Sequence, residues 1–200
     1  MSRKVGIITE APRGSGDEQV FRWLIEQFCP GMTSVIIGNR NKKELINDCV
    51  EQAAALLEID NCSHVLVIYD RMPRFQPKTM QAPIDPRKDI EHRLEQAGIR
   101  GPVQFVRIDE MLETWLIADE AAVRNYLIKR HKPNPEPGPF NGGRKQLHHP
   151  KPKDLIEEYL DEYNSTTTAL HILKEANLKT IFSRCSSFKA FKTFIEENCR

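Results

Sequence analysis

The order of elements in this sequence predicts an α/β fold: a Rossmann-like, four-stranded parallel sheet flanked by helices, with a C-terminal helical extension. Three observations carry the prediction. Over the first two thirds of the chain, short β-branched runs alternate with amphipathic helical patterns, which is the signature of βαβ units. The third run, His64–Tyr69 (HVLVIY), is almost wholly apolar, as expected of a strand buried on both faces. After about residue 130 only helical patterns remain.

The first strand is Lys4–Thr9 (KVGIIT), followed by the turn-forming stretch APRGSG. Ser15 and Glu18 stand in capping-box spacing and open a helix. Its apolar residues Val20, Phe21, Leu24, Ile25 and Phe28 recur at helical intervals, and Pro30–Gly31 ends it. Ser34–Gly38 is the second strand. Asn41 and Glu44 cap a helix running to about Glu58 with Leu45, Ile46, Cys49, Val50, Ala53 and Leu57 on one face. The third strand runs into Asp70 and the long loop RMPRFQPKTMQAPI. Asp85–Pro86 starts a helix with proline at its favoured first position, and Gly98 ends it. Val103–Ile108 (VQFVRI) is the fourth strand, with a helix expected from about Asp109, capped by that residue.

Lys132–Pro152 holds six prolines and three glycines and reads as a surface loop. Helical patterns follow at Lys153–Tyr163, Ala169–Glu175 and Phe188–Asn198. Residues 1–130 are thus expected to form the α/β unit. Residues 131–200 are expected to be a proline-rich loop and helical extension packed on the same domain. Trp23, Trp115 and the series Phe188, Phe191, Phe194 read as packing residues.

Composition narrows the function classes. The 200 residues carry a net charge of +1, so no global basic field exists and nucleic-acid binding would need a local patch or metal ions. Apolar runs are short, which predicts no membrane span, and MSRKVGIITE lacks the features of a signal peptide. Five cysteines without a CxxC pair predict free thiols and a cytoplasmic location. No zinc-type spacing, phosphate loop or Gly-x-Ser-x-Gly elbow is present.

Ligands of parallel α/β sheets sit at the carboxyl ends of the strands. There the first strand delivers Glu10, the third Asp70, and the fourth Asp109–Glu110 with Glu113 one turn later; the second ends on Gly38–Asn39. Carboxylate oxygens are hard ligands suited to Mg²⁺ or Mn²⁺. Without a cation, neighbouring carboxylates repel and their pKa values rise. Glu10, Asp70, Glu113 and Glu110 are the candidate metal ligands, the first three also catalytic, with Glu18 and Asp17 as supporting acids. Against these stands the capping role that acids after strands commonly play. Arg13, Arg71 and Arg74, with Lys151 and Lys153 in the basic stretch RKQLHHPKPK, are candidates for phosphate contact.

These residues resemble a known family. KVGIITE followed by DEQVFRWLI resembles the opening of TOPRIM-like proteins, in which a Glu ends the first strand, and VLVIYDR resembles the strand bearing their next acid. The segment Glu113, Trp115, Leu116, Ile117, Ala118, Asp119 and the helix with Ser187, Phe188 and Phe191 are similar to a small TOPRIM-like family of uncharacterised function. That family is distantly similar to the nuclease domains of overcoming-lysogenisation-defect proteins. The resemblance implies a TOPRIM fold, Mg²⁺-dependent phosphodiester hydrolysis on DNA or RNA, and phage defence with an ATPase partner. It maps the acidic positions onto Glu10, Asp70 and Glu113. Two departures stand out: the turn after Glu10 is lengthened by Arg13–Gly16, and Met72 occupies the place of a second aspartate. A thioether does not bind a hard cation. A non-catalytic binding module and a small-molecule phosphohydrolase lidded by the loop after Asp70 therefore remain alternatives.

Overall fold

The computed structural model describes residues 4–71, 86–99, 102–130, 147, 149, 151–160, 163–164 and 167–199. Met72, Arg74, Arg144, His148 and most of both long loops lie outside the described residues. The strands are β1 (Lys4–Thr9), β2 (Thr33–Gly38), β3 (His64–Asp70) and β4 (Val103–Ile108). They form one sheet in the order β2-β1-β3-β4, with every neighbouring pair parallel. The α/β, Rossmann-like prediction therefore holds. The order reverses between β1 and β3, and the crevice at such a switch point is where open α/β sheets bind ligands.

Each strand is flanked by helices whose starts follow local chemistry. In α1 (Gly16–Phe28), the Ser15 hydroxyl accepts from the Glu18 N–H at 3.3 Å, and the Glu18 carboxylate accepts from the Gly14 N–H at 2.6 Å. In α2 (Lys42–Ala54), Asn41 accepts from the Glu44 N–H at 3.0 Å, and Glu44 reaches back to the Arg40 N–H at 2.9 Å. These reciprocal bonds satisfy N–H groups that a helix start leaves without intrahelical acceptors. The second helix continues as a π-helical turn, Ala55–Ile59. α3 (Pro86–Gln96) precedes β4.

The region after β4 departs from expectation. The helix expected from Asp109 starts at Glu113 as α4 (Glu113–Ile117). Glu110 adopts a φ of 61°, a left-handed conformation that breaks the chain direction before any helix can form. Asp109 does not cap α4; its carboxylate accepts from the Ser186 hydroxyl at 2.9 Å. Then come α5 (Glu120–Lys129), α6 (Pro152–Tyr159), α7 (Thr168–Glu175), α8 (Leu178–Arg184) and α9 (Ser186–Glu197).

Side-chain alternation along the strands divides the core. Ile8, Val65, Val67 and Tyr69 pack with Leu45, Cys49, Ala53, Ile90 and Leu94 from α2 and α3. Gly6 admits α2's continuation closely: a Cβ there would stand 2.8 Å from Leu56 Cδ1. On the opposite face Ile7, Leu66, Ile68 and Val106 pack with Phe21, Trp115, Phe188, Phe191 and Phe194. The Trp115 and Phe188 rings meet edge to face at 5.1 Å, and Trp115 Nε1 donates to Ser187 Oγ at 3.0 Å.

Free thiols were expected from the odd cysteine count, yet Cys29 and Cys199 form a disulfide across 170 residues of sequence. Sequence spacing could not reveal it, because the pairing depends on α1 and α9 ending side by side. Cys49, Cys62 and Cys185 are free and buried. No helix among the described residues is long and apolar enough to cross a membrane.

Candidate functional site

β1 and β3 are adjacent, so the residues at their carboxyl ends are forced together. Thr9 pairs in register with Ile68, which puts Glu10 beside the last residues of β3, Tyr69 and Asp70. Asp17 enters from the first turn of α1 and Glu113 from the first residue of α4. Asp70 feels the charges of the other three, Glu10 feels Asp17, and Asp17 feels Glu113. Burial pushes Asp70 well above its ordinary value, and the charges of Glu10, Asp17 and Glu113 push it further, with Lys42 opposing. Burial likewise raises Glu10 to about 7, with Lys42 and the Asp70 backbone N–H pulling the other way. Asp17 rises to about 6 through burial and the Glu113 charge. Burial also raises Glu113, although the Tyr163 hydroxyl donates to its Oε1 at 3.0 Å. Such shifts are what like charges gathered out of water produce.

Glu10 Oε2 is buried and accepts no hydrogen bond from the described residues. Among the described residues it has a countercharge in Lys42, whose Nζ lies at 3.6 Å, and the two side chains are only 17% and 9% exposed. An acceptor left in this state favours an incoming cation or donor. The oxygen donors at the β1/β3 edge are hard and suit Mg²⁺ or Mn²⁺, which bind through one or two carboxylates with water completing the shell. Among the described residues, no three His, Cys, Asp or Glu side chains stand close enough to form a ready-made metal cage.

The other candidates are placed as follows. Glu18 is engaged by the Gly14 N–H and by Arg22 at 2.7 Å. Glu110 pairs with Arg71 at 3.0 Å, so these two candidates face each other. Arg13 lies near enough to Glu18 for their charges to interact. Lys151 pairs with Asp154 at 3.0 Å. Lys153 lies 3.6 Å from Glu157, and its charge also reaches Asp17 and Glu113. Arg74 is outside the described residues.

Two residues of the site were missed in the sequence. Lys42 carried one signal: it is a cation at the first position of a helix, where the dipole favours acids. Tyr163 carried none, since only the folding back of the chain after α6 brings it to Glu113.

Comparison with known proteins adds a family and no activity. No curated protein and no solved structure matches the chain. A family model described as a domain of unknown function (DUF4276) matches residues 14–196, a span that holds Asp17, Asp70 and Glu113, with Glu10 just ahead of it. The protein belongs to that family.

Proposed function

We propose that this protein is a TOPRIM-like, Mg²⁺- or Mn²⁺-dependent phosphodiesterase acting on nucleic acid. The observation that carries the reading is the buried, unbonded Glu10 Oε2 beside Asp70, at the switch point of the sheet. Glu10 and Asp70 would hold the ion, with Glu113 and Asp17 as outer acids. A bound ion supplies positive charge to a phosphodiester oxygen and acidifies a water. The chain's own contribution is orientation. Tyr163 fixes the Glu113 carboxylate through its hydroxyl, and Lys153 offsets the charge of Asp17 and Glu113. Partnership with an ATPase belongs to the same proposal and rests on the resemblance alone.

The test is cleavage of DNA and RNA oligonucleotides with Mg²⁺ or Mn²⁺. Glu10→Gln and Asp70→Asn are each expected to reduce it by about a hundredfold or more. Unchanged cleavage in both variants would sink the assignment. The absence of a three-carboxylate cage among the described residues favours a second reading, a non-catalytic binding module. That reading expects no Mn²⁺ binding by calorimetry near millimolar concentration.

A further inference from the structure

With a net charge of +1 over 200 residues, this chain can hold a polynucleotide electrostatically only through a local patch. Such a patch stands where α5 and α7, which pack along each other, both end. Tyr126, Lys129 and Arg130 from α5 and its end, with His171, Lys174 and Glu175 from α7, line a cavity of about 290 Å³. Tyr126 and Arg130 are four residues apart, as are His171 and Glu175, so each pair lies on one side of its helix. The Tyr126 and His171 rings meet edge to face at 6.4 Å, and the Arg130 guanidinium lies over the Tyr126 ring at 5.3 Å. Lys129 pairs with Glu175 at 2.5 Å. Arg130 and Lys174 are exposed and make no ion pair among the described residues. In the sequence Lys129 opens a run of four basic residues, KRHK.

The ordinary use of a cation at a helix end is to offset the dipole, and Lys129 and Lys174 do stand in the last turns of their helices. Two such ends together present about one unit of negative charge. Three cations against one carboxylate exceed that, so the cavity keeps a positive surplus. The surplus is separate from the acidic site. The cations that chiefly act on Glu10, Asp17, Asp70 and Glu113 are Lys42 and Lys153. The cavity lies at the far end of α5, about 15 Å along the helix from Asp119, where the segment bearing Glu113 gives way to it.

Resting on the nucleic-acid substrate proposed above, we infer that the cavity between the ends of α5 and α7 anchors the phosphate backbone of a polynucleotide, apart from the acidic site. Arg130 and Lys174 contact phosphate oxygens, while Lys129 stays with Glu175. An exposed cation gains little from one small anion in water. Against a polyanion each neutralised phosphate also releases condensed counterions, and the gains accumulate along the strand. Exposed cations on a shallow cavity therefore suit a polynucleotide better than inorganic phosphate. Contacts of this kind position a strand and read no sequence.

The test is salt-dependent binding. Full-length wild type, Lys174→Glu, Arg130→Gln and Lys88→Glu are titrated with fluorescein-labelled single-stranded DNA and RNA by anisotropy over a range of salt. EDTA is present, so no divalent cation contributes. Lys88 is an exposed cation on α3, across the sheet from α5 and α7, and Lys88→Glu changes the net charge as much as Lys174→Glu does. Lys174→Glu is expected to weaken binding by about tenfold at low salt and to flatten the log–log salt slope by about one to two. Arg130→Gln should flatten it by about one, and Lys88→Glu should bind as the wild type does. Inorganic phosphate at matched ionic strength should not displace the strand. Circular dichroism checks the fold, with Lys174→Gln in reserve should the glutamate form not fold. Absent binding by the wild type, equal weakening by Lys88→Glu, displacement by inorganic phosphate, or unchanged binding in both cavity variants overturns the anchor. If the cavity variants bind as wild type does while Glu10→Gln abolishes cleavage, the anchor falls and the phosphodiesterase stands. If they weaken binding but the wild type neither binds Mn²⁺ nor cleaves, the anchor stands and the phosphodiesterase falls.

Discussion

At the residue scale, Glu10 ties stability to pH. Its carboxyl titrates near 4.5 in an unfolded chain and at about 7 in the folded protein. The folded state therefore keeps a proton that the unfolded state has lost, and stability falls as pH rises through that window. Asp17, raised to about 6, adds to the fall, and Asp70 acts in the same direction. Glu10→Gln removes the cost of ionisation. It is expected to be more stable than wild type at pH 8 by up to about 3 kcal/mol and nearly equal to it at pH 4. Urea unfolding at the two pH values checks this, and a constant difference would contradict it. The same protons must leave before a cation enters. Mn²⁺ affinity is accordingly expected to climb as pH passes through about 6 to 7, and a flat calorimetric profile would count against binding at these acids. Glu10 and Asp70 were legible in the sequence because a strand end is a one-dimensional feature. Tyr163 was not, because its partner Glu113 is 50 residues away.

At the scale of elements, the turn between β1 and α1 decides where Glu10 points. That turn lies against the end of β2. A Cβ on Gly38 would come within 2.5 Å of the Ala11 carbonyl oxygen and 2.6 Å of the Arg13 nitrogen. Both are backbone atoms and cannot rotate away. Gly38→Ala is expected to cost about 1–3 kcal/mol by overpacking and to weaken Mn²⁺ binding by shifting the turn. Thermal melting with a parallel titration measures both; a neutral result in each would show that the turn gives way freely. The strands and the first two helix starts were readable because side-chain alternation and capping spacing are local. The start of α4 was not, since nothing in the residue type of Glu110 announces a positive φ. The break between α4 and α5 was also missed. Asp119 there accepts the Asn177 N–H at 2.7 Å, so a tertiary contact shapes what the helical pattern alone would continue.

At the scale of the molecule, the two segments that most resembled a family turn out to be partners in one core. Trp115 packs on Phe188 and Phe191, and Ser187 receives its indole N–H. Glu113 and Asp119 on the same segment are buried and accept hydrogen bonds from the Tyr163 hydroxyl and the Asn177 N–H. The disulfide between Cys29 and Cys199 then fastens the end of α1 to the residues after α9. Cys199→Ser is expected to lower stability by about 2–5 kcal/mol. Dithiothreitol should lower the wild type equally and leave the variant unchanged, and a reductant-insensitive wild type would argue against the bond. The bridge has a topological consequence too. It closes residues 29–199 into a covalent ring, so a protease that cuts one peptide bond within it releases no fragment. The nicked molecule would migrate as a single species until a reductant opens the ring.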